Sequence, residues 1–133
     1  MKLQKLVYYS QAYHLVRFGG PLFADAVEAW ANGPVVPTLY QRHKGEFVIR
    51  AGRLGACRLE NLAPASQQSV RAAVGAFGGY TGAQLSALTH EELPWQQARH
   101  GLGPYDRSNR PITQESMRAY YGSQVRSHPL FAA

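Results

Sequence analysis

The chain has 133 residues, of which 45% are hydrophobic and 17% charged, so its length and composition are those of one globular domain and not of a disordered segment. No stretch approaches the run of about 18 apolar residues that a membrane span needs, and residues 3–16 carry too many polar side chains for a secretory signal. The lone cysteine, Cys57, excludes an internal disulfide, and we expect a cytoplasmic protein.

The formal net charge is +6, and positive charge is concentrated between residues 42 and 58. The five basic residues of this segment, opposed there only by Glu46, are Arg42, Lys44, Arg50, Arg53 and Arg58. Such a segment attracts nucleic acid or an acidic protein surface, so Arg50, Arg53 and Arg58 are candidate partner-binding residues. The alternative is a solvated arginine-rich loop, because no aromatic residue alternates with these charges as a base-stacking surface requires.

Residues 2–18 are predicted to form a helix, because apolar side chains recur at helical spacing on two neighbouring strips. These side chains are Leu3, Leu6, Val7 and Tyr13 on one strip and Tyr9, Ala12 and Val16 on the other. Two strips exceed what a half-exposed helix needs, so this helix is either central to the fold or partly covered by a partner. Because tyrosine is common in binding hot spots, Tyr8, Tyr9 and Tyr13 are candidate partner contacts. The alternative is that they pack internally.

The middle of the chain is predicted to contain short extended and helical segments. Residues 26–30 are compatible with a strand, and the Asn-Gly pair that ends at Gly33 marks a turn. Pro37 suits the first position of a helix, so residues 38–44 are predicted to be helical. Residues 45–63 have no clear period and are predicted to form a loop with a short strand or two.

The rest of the chain is predicted to be mostly helical. Residues 66–77 carry apolar side chains at the i, i+3, i+4 and i+7 spacing of a helix face. Thr81, with a glutamine three residues later, forms a capping box for a helix that ends near His90. Pro94 opens a further turn, and Thr113 caps a last helix after a loop. The pattern as a whole predicts a mainly α, compact single domain with a possible small two- or three-stranded sheet.

No constellation typical of an enzyme or a metal site is visible. His90 is followed by a glutamate, as at the start of a zinc-protease helix, but Pro94 stands where the second histidine belongs. The five histidines never pair at i and i+3 or i+4, and Glu91 and Glu92 are adjacent and point in different directions on a helix. We therefore expect a protein that binds another macromolecule, with no enzymatic activity, no metal and no cofactor.

Four segments, taken in this order and spacing, resemble the SocA-like antitoxin family, the Panacea domain. They are residues 2–15 (KLQKLVYYSQAYHL), residues 28–37 (EAWANGPVVP) with 39–40, residues 88–95 (LTHEELPW) with 98–99, and Met117 with Tyr120 and Tyr121. The resemblance covers nearly the whole chain, so we expect a single domain over residues 1–133. Family members usually carry a further short helix before the first segment. Here Met1 directly precedes it, so either this version is compact or its start lies upstream.

The resemblance implies a mainly helical bacterial or phage-associated antitoxin that neutralises a toxin encoded beside it by direct binding. It also implies that one branch of such proteins delivers the toxin to a cytoplasmic protease, and it implies no cofactor. We expect structural roles for the side chains of the family motif within the fold, with the two tryptophans as core anchors. These residues are Trp30, Gly33, Pro34, Thr89, His90, Pro94 and Trp95.

A nucleic-acid-binding regulator that uses the basic 42–58 segment is the alternative function. The absence of a visible helix-turn-helix with a basic recognition helix counts against it. Binding that weakens steeply with salt and ignores sequence would favour nucleic acid. A small toxic protein encoded by the neighbouring gene would favour the antitoxin.

Overall fold

Six α-helices and three short strands make up the part of the chain that the structure, a computed structural model, describes: residues 2–44 and 61–132. In chain order the elements are α1 (Lys2–Phe18), β1 (Val27–Trp30), β2 (Gly33–Val35), α2 (Pro37–His43), α3 (Pro64–Phe77), α4 (Gly82–His90), α5 (Leu93–Ala98), β3 (Pro111–Ile112), α6 (Gln114–Ser123) and a 3-10 turn (Pro129–Phe131). The predicted mainly α fold with a small sheet is confirmed.

The first helix, α1, lies at the centre of this fold. It packs against α3, α4, α6 and β2, so nearly every side of it is covered. Its buried residues are Gln4, Lys5, Tyr8, Tyr9, Ser10, Gln11, Ala12, Tyr13 and Leu15. The two apolar strips in the sequence therefore reflect a central position, because a helix surrounded by other elements buries more than one strip.

The expectation that Tyr8, Tyr9 and Tyr13 form a partner-binding surface needs correction. Their exposed fractions are 1%, 0% and 8%, and all three belong to the hydrophobic core. Tyr9 packs on the ring of Phe77 in α3, and Tyr13 stacks on Phe131 in the 3-10 turn. These aromatic rings are thus used inside the protein, as the alternative held.

The three strands form one antiparallel sheet in the order β2-β1-β3. Trp30 is opposite Gly33 in the hairpin of β1 and β2, and Val27 is opposite Ile112 in the pairing of β1 with β3. The hairpin brings the ring of Trp30 to 4.9 Å from that of Tyr40 in α2. The turn at Gly33 thus brings β1 against the helix that follows the hairpin.

Helix boundaries follow local capping chemistry closely. Thr81 accepts a hydrogen bond from the Gln84 amide at 3.0 Å while the Gln84 side chain accepts one from the Thr81 amide at 2.8 Å, a complete capping box. Thr113 caps α6 by accepting from the amide of Ser116 at 3.1 Å. The helix predicted over residues 66–77 begins two residues earlier, at Pro64, because proline suits the first turn of a helix.

Two short elements were not predicted from the sequence: β3 and the 3-10 turn, which have only two and three residues. Neither is long enough to show a period. The strands expected within residues 45–60, together with Cys57, lie outside the described residues, as do Arg50, Arg53 and Arg58. Among the described residues, no helix is both long enough and apolar enough to cross a membrane.

Candidate functional site

Three of the motif segments meet at one point, which we call the motif junction: Lys5, Gly33, Thr89, His90 and Trp95. A Cβ built on Gly33 would lie 2.6 Å from Lys5 Cε and 3.0 Å from Thr89 Oγ1. Gly33 also has a φ of 121°, which side chains rarely adopt. Only glycine therefore lets the α1 lysine and the α4 threonine approach the β1–β2 hairpin this closely.

Lys5 is the least expected member of the motif junction. Its side chain is 1% exposed, and in the described part of the chain its ammonium has no hydrogen-bond partner. Burial lowers the pKa of Lys5 to about 8 from 10.5. Burying a charge without a hydrogen-bond partner costs stability, because the group gives up its hydration.

His90 carries the second orphaned nitrogen of the motif junction. Its Nε2 is buried and, among residues 2–44 and 61–132, finds no hydrogen-bond partner. Burial lowers the pKa of His90, and the positive charges of Lys5 and Arg99 lower it further, against an opposing effect of the Ala31 backbone. Burial and the two neighbouring charges therefore favour the neutral imidazole of His90, so the positive charge within the motif junction is that of Lys5.

The two motif tryptophans tie the sheet to α5 at the edge of the core. The ring of Trp95 stacks on His90 with 4.1 Å between centroids, and its Nε1 donates to the Trp30 carbonyl at 2.8 Å. The Trp30 indole in turn donates to Glu28 at 2.9 Å. Both indole rings are half-buried, so they flank the core and are not at its centre. Pro34 and Pro94 are buried close by.

A second buried polar group, the tyrosine–glutamate cluster, consists of Tyr8, Tyr9, Glu92, Tyr121 and His128. Tyr9 and Tyr121 donate to Glu92 Oε1 at 2.6 and 2.8 Å, and His128 Nε2 lies 2.5 Å from Glu92 Oε2. The Tyr121 hydroxyl is also 3.0 Å from that of Tyr8. Burial is the first cause that raises the pKa of each of these three tyrosines, and the Glu92 charge adds to it. The cluster joins α1 to α5, α6 and the C-terminal turn.

Comparison with known proteins decides the family. A family model described as Antitoxin SocA-like, Panacea domain, matches residues 3–96. The chain belongs to the SocA-like antitoxin family. The match includes every residue of the motif junction, whereas Arg99, Tyr121 and His128 lie beyond it. No curated protein and no solved structure matches the chain.

The structure brings four motif residues of this SocA-like antitoxin together, while the three tyrosines predicted as contact residues lie in the core. Gly33, Thr89, His90 and Trp95 meet at the motif junction, while Tyr8, Tyr9 and Tyr13 are core residues. Thr89 and His90 lie at the end of α4 as expected, where the Thr89 hydroxyl donates to the Ser86 carbonyl at 2.8 Å. Among the described residues, no group of three histidine, cysteine, aspartate or glutamate side chains could hold a metal ion.

Sequence reasoning missed three buried charged residues: Lys5, Glu92 and Arg99, which are 1%, 3% and 5% exposed. Arg99 donates to the carbonyls of Ala29, Gly103 and Asp106 at 3.0, 2.9 and 2.7 Å. One signal was available for Lys5, because it lies on the same helix face as Tyr8 and Tyr9, three and four residues away. Nothing comparable marks Glu92, whose partners are distant in sequence, or Arg99, which joins a carbonyl 70 residues away to two carbonyls in the loop that follows it.

Proposed function

We propose that this SocA-like antitoxin neutralises a toxin encoded beside it by binding directly to it in the cytoplasm, and that it has no catalytic activity of its own. Family membership over residues 3–96 carries the proposal. Membership supports an antitoxin role and, with it, a toxin partner. The toxin is the product of the adjacent gene, because the members of this family are encoded beside the toxin that they neutralise.

The chemistry of the interior supports binding over catalysis. Glu92 and His128 are the acid and base of the tyrosine–glutamate cluster, yet they are 3% and 7% exposed. The Glu92 carboxylate is occupied by Tyr9, Tyr121 and His128, and His128 Nδ1 accepts a hydrogen bond from the Leu130 amide. A general acid or base must reach a proton on its substrate, and these groups have no exposed face to offer one.

The experiment is co-expression with the neighbouring gene. Toxin expressed alone should arrest growth, and the wild-type antitoxin should relieve the arrest. Leu85→Asp is the folding control: it places a charge at a core position that is 0% exposed, and it should abolish the rescue. If the neighbour is harmless, or if growth stays arrested with wild-type antitoxin present, the proposal fails.

Two further measurements separate the mechanisms. The half-life of the toxin in the rescued cells tests the proteolytic-adaptor form of the proposal, which requires toxin to disappear faster when antitoxin is present. Direct neutralisation instead leaves the half-life unchanged while the two proteins copurify. Titration with duplex DNA at increasing salt tests the nucleic-acid alternative, for which affinity should fall steeply as salt rises.

A further inference from the structure

The most exposed large apolar side chain of the described chain is Tyr105, at 91%. It lies at the tip of a tight turn between α5 and β3, the Tyr105 turn, which spans residues 103–106. The Asp106 amide donates to the Gly103 carbonyl at 3.2 Å, and the Gly103 amide donates to Asp106 Oδ2 at 2.7 Å. Pro104 occupies the second position, where its fixed φ favours the turn.

Hydrogen bonds from Arg99 connect the Tyr105 turn to the sheet. One nitrogen of this buried guanidinium donates to the carbonyls of both turn ends, Gly103 and Asp106, and the other donates to Ala29 in β1. The Ala29 amide in turn donates to the Arg110 carbonyl at 2.8 Å, which holds the other end of the loop. Tyr105 is therefore presented by a backbone that is already ordered, so little entropy is lost when a partner binds it.

Two arginines beside Tyr105, Arg107 and Arg110, lie in exposed positions. Asp106 is exposed as well, and one of its carboxylate oxygens accepts the Gly103 amide, so the arginines outnumber the single acidic side chain here. Arg110 is held by a 2.6 Å bond from its Nη1 to the His100 carbonyl. Tyrosine and arginine are both among the residue types enriched in protein binding hot spots.

We propose that the Tyr105 turn is a contact surface for the toxin, with Tyr105 inserted in an apolar pocket and Arg107 facing carboxylates at the rim of that pocket. This inference rests on the proposed function, since it identifies part of the surface by which the toxin is bound. The turn lies outside residues 3–96, the part of the chain that the family model matches.

The other exposed apolar side chains fit this role less well. Phe18, Leu93 and Val74 are 43%, 47% and 50% exposed, so about half of each is covered. Single half-covered apolar residues are normal on a protein surface. Val74 nevertheless provides a matched control, because Arg71 lies nearly one turn away from it on α3 and is also exposed.

The test compares two double variants that change the net charge equally and each remove one exposed apolar side chain: Tyr105→Ser with Arg107→Glu, and Val74→Ser with Arg71→Glu. Each is measured by calorimetric titration with the purified product of the neighbouring gene. We expect the first to weaken binding about 30-fold or more, as loss of a hot spot does, and the second to change it less than about threefold. Both should melt close to the wild type, since the four side chains are exposed.

Two single variants sharpen the result. Tyr105→Phe keeps the ring and should retain binding, and Arg107→Glu should lessen the salt dependence of binding by removing one charge pair. Equal affinity of the Tyr105–Arg107 variant and the wild type would overturn the inference while leaving the proposed function intact. If the wild type itself does not bind the neighbouring gene product, the proposed function fails first.

Discussion

The side chain of Lys5 passes over Gly33 so closely that its Cε lies 2.6 Å from where a Cβ of residue 33 would be. This approach explains why a lysine in the first helix, a glycine in the hairpin and Thr89 in the fourth helix occur together in the motif segments. It also predicts how single substitutions at residues 5 and 33 should change the stability of the fold.

Gly33→Ala should destabilise the protein by about 1–3 kcal/mol, from the unfavourable φ of 121° alone, with an added cost for moving Lys5 and Thr89. Urea unfolding followed by circular dichroism measures this. Gly75→Ala is the matched control, because Gly75 lies within α3 with open space around its Cβ position, and it should stabilise by about 0.5–1 kcal/mol. Equal effects of the two substitutions would contradict the packing described here.

Lys5→Met should stabilise the protein by roughly 1–3 kcal/mol at neutral pH, because it removes a buried ammonium that has no partner in the described chain. The pKa of Lys5 is about 8 in the folded protein and 10.5 when unfolded, so the cost of burial is fully present below pH 8. Between about pH 8 and 10.5 the folded state loses its proton first. The wild type should therefore approach the stability of Lys5→Met across that range.

The control for this prediction is Lys2→Met. Lys2 lies on the same helix, but its ammonium donates to the Gly78 carbonyl, so its loss should be neutral or mildly destabilising. A marked destabilisation by Lys5→Met, at any pH between 6 and 8, would mean that the Lys5 charge is compensated in solution.

Tyr9→Phe should cost about 1.5–3 kcal/mol, the usual effect of removing a buried hydrogen bond to a charged group, here the 2.6 Å bond to Glu92. Tyr13→Phe is the comparison, since the Tyr13 hydroxyl only accepts a bond from the neutral Gln68 side chain, and it should cost about 1 kcal/mol or less. Thermal or urea unfolding decides between them. If Tyr9→Phe left the stability unchanged, the hydrogen bond from Tyr9 to Glu92 would not stabilise the fold.

Trp95→Ala should cost about 3 kcal/mol, the lower end of the range for a large aromatic residue, because the ring is half-buried. Trp95→Phe keeps a ring on His90 but loses the bond to the Trp30 carbonyl, so it should cost about 1 kcal/mol. Melting temperatures give both values. A Trp95→Ala variant that melts with the wild type would show that this ring does not hold the sheet to α5.

Local signals predicted much of the fold. The helical spacing of residues 2–18, the capping box at Thr81 and the cap at Thr113 each depend on residues a few positions apart, and all three lie where the sequence placed them. The fate of the α1 tyrosines was not predictable in the same way. Periodicity shows which side of a helix is apolar, but whether another element or a partner covers it depends on the whole fold.

The partners of the buried charged residues were likewise not predictable from local sequence signals. Glu91 and Glu92 lie between α4 and α5 and not on one helix, as the sequence argument assumed. Only the fold reveals that Glu91 is exposed while Glu92 meets Tyr9, Tyr121 and His128. Arg99 likewise satisfies carbonyls that lie on another strand and in a following turn. The motif residues were identified from the order and spacing of their segments in the sequence. That they meet at one point in the fold was seen only in the structure.

The central claim is that this SocA-like antitoxin binds the product of the gene beside it, and calorimetric titration of the two purified proteins tests it most directly. We expect a saturable complex with a Kd below about 1 μM, together with a rise in the melting temperature of the antitoxin when the partner is added. No heat of binding and an unchanged melting temperature, with a neighbour that is toxic when expressed alone, would contradict the claim.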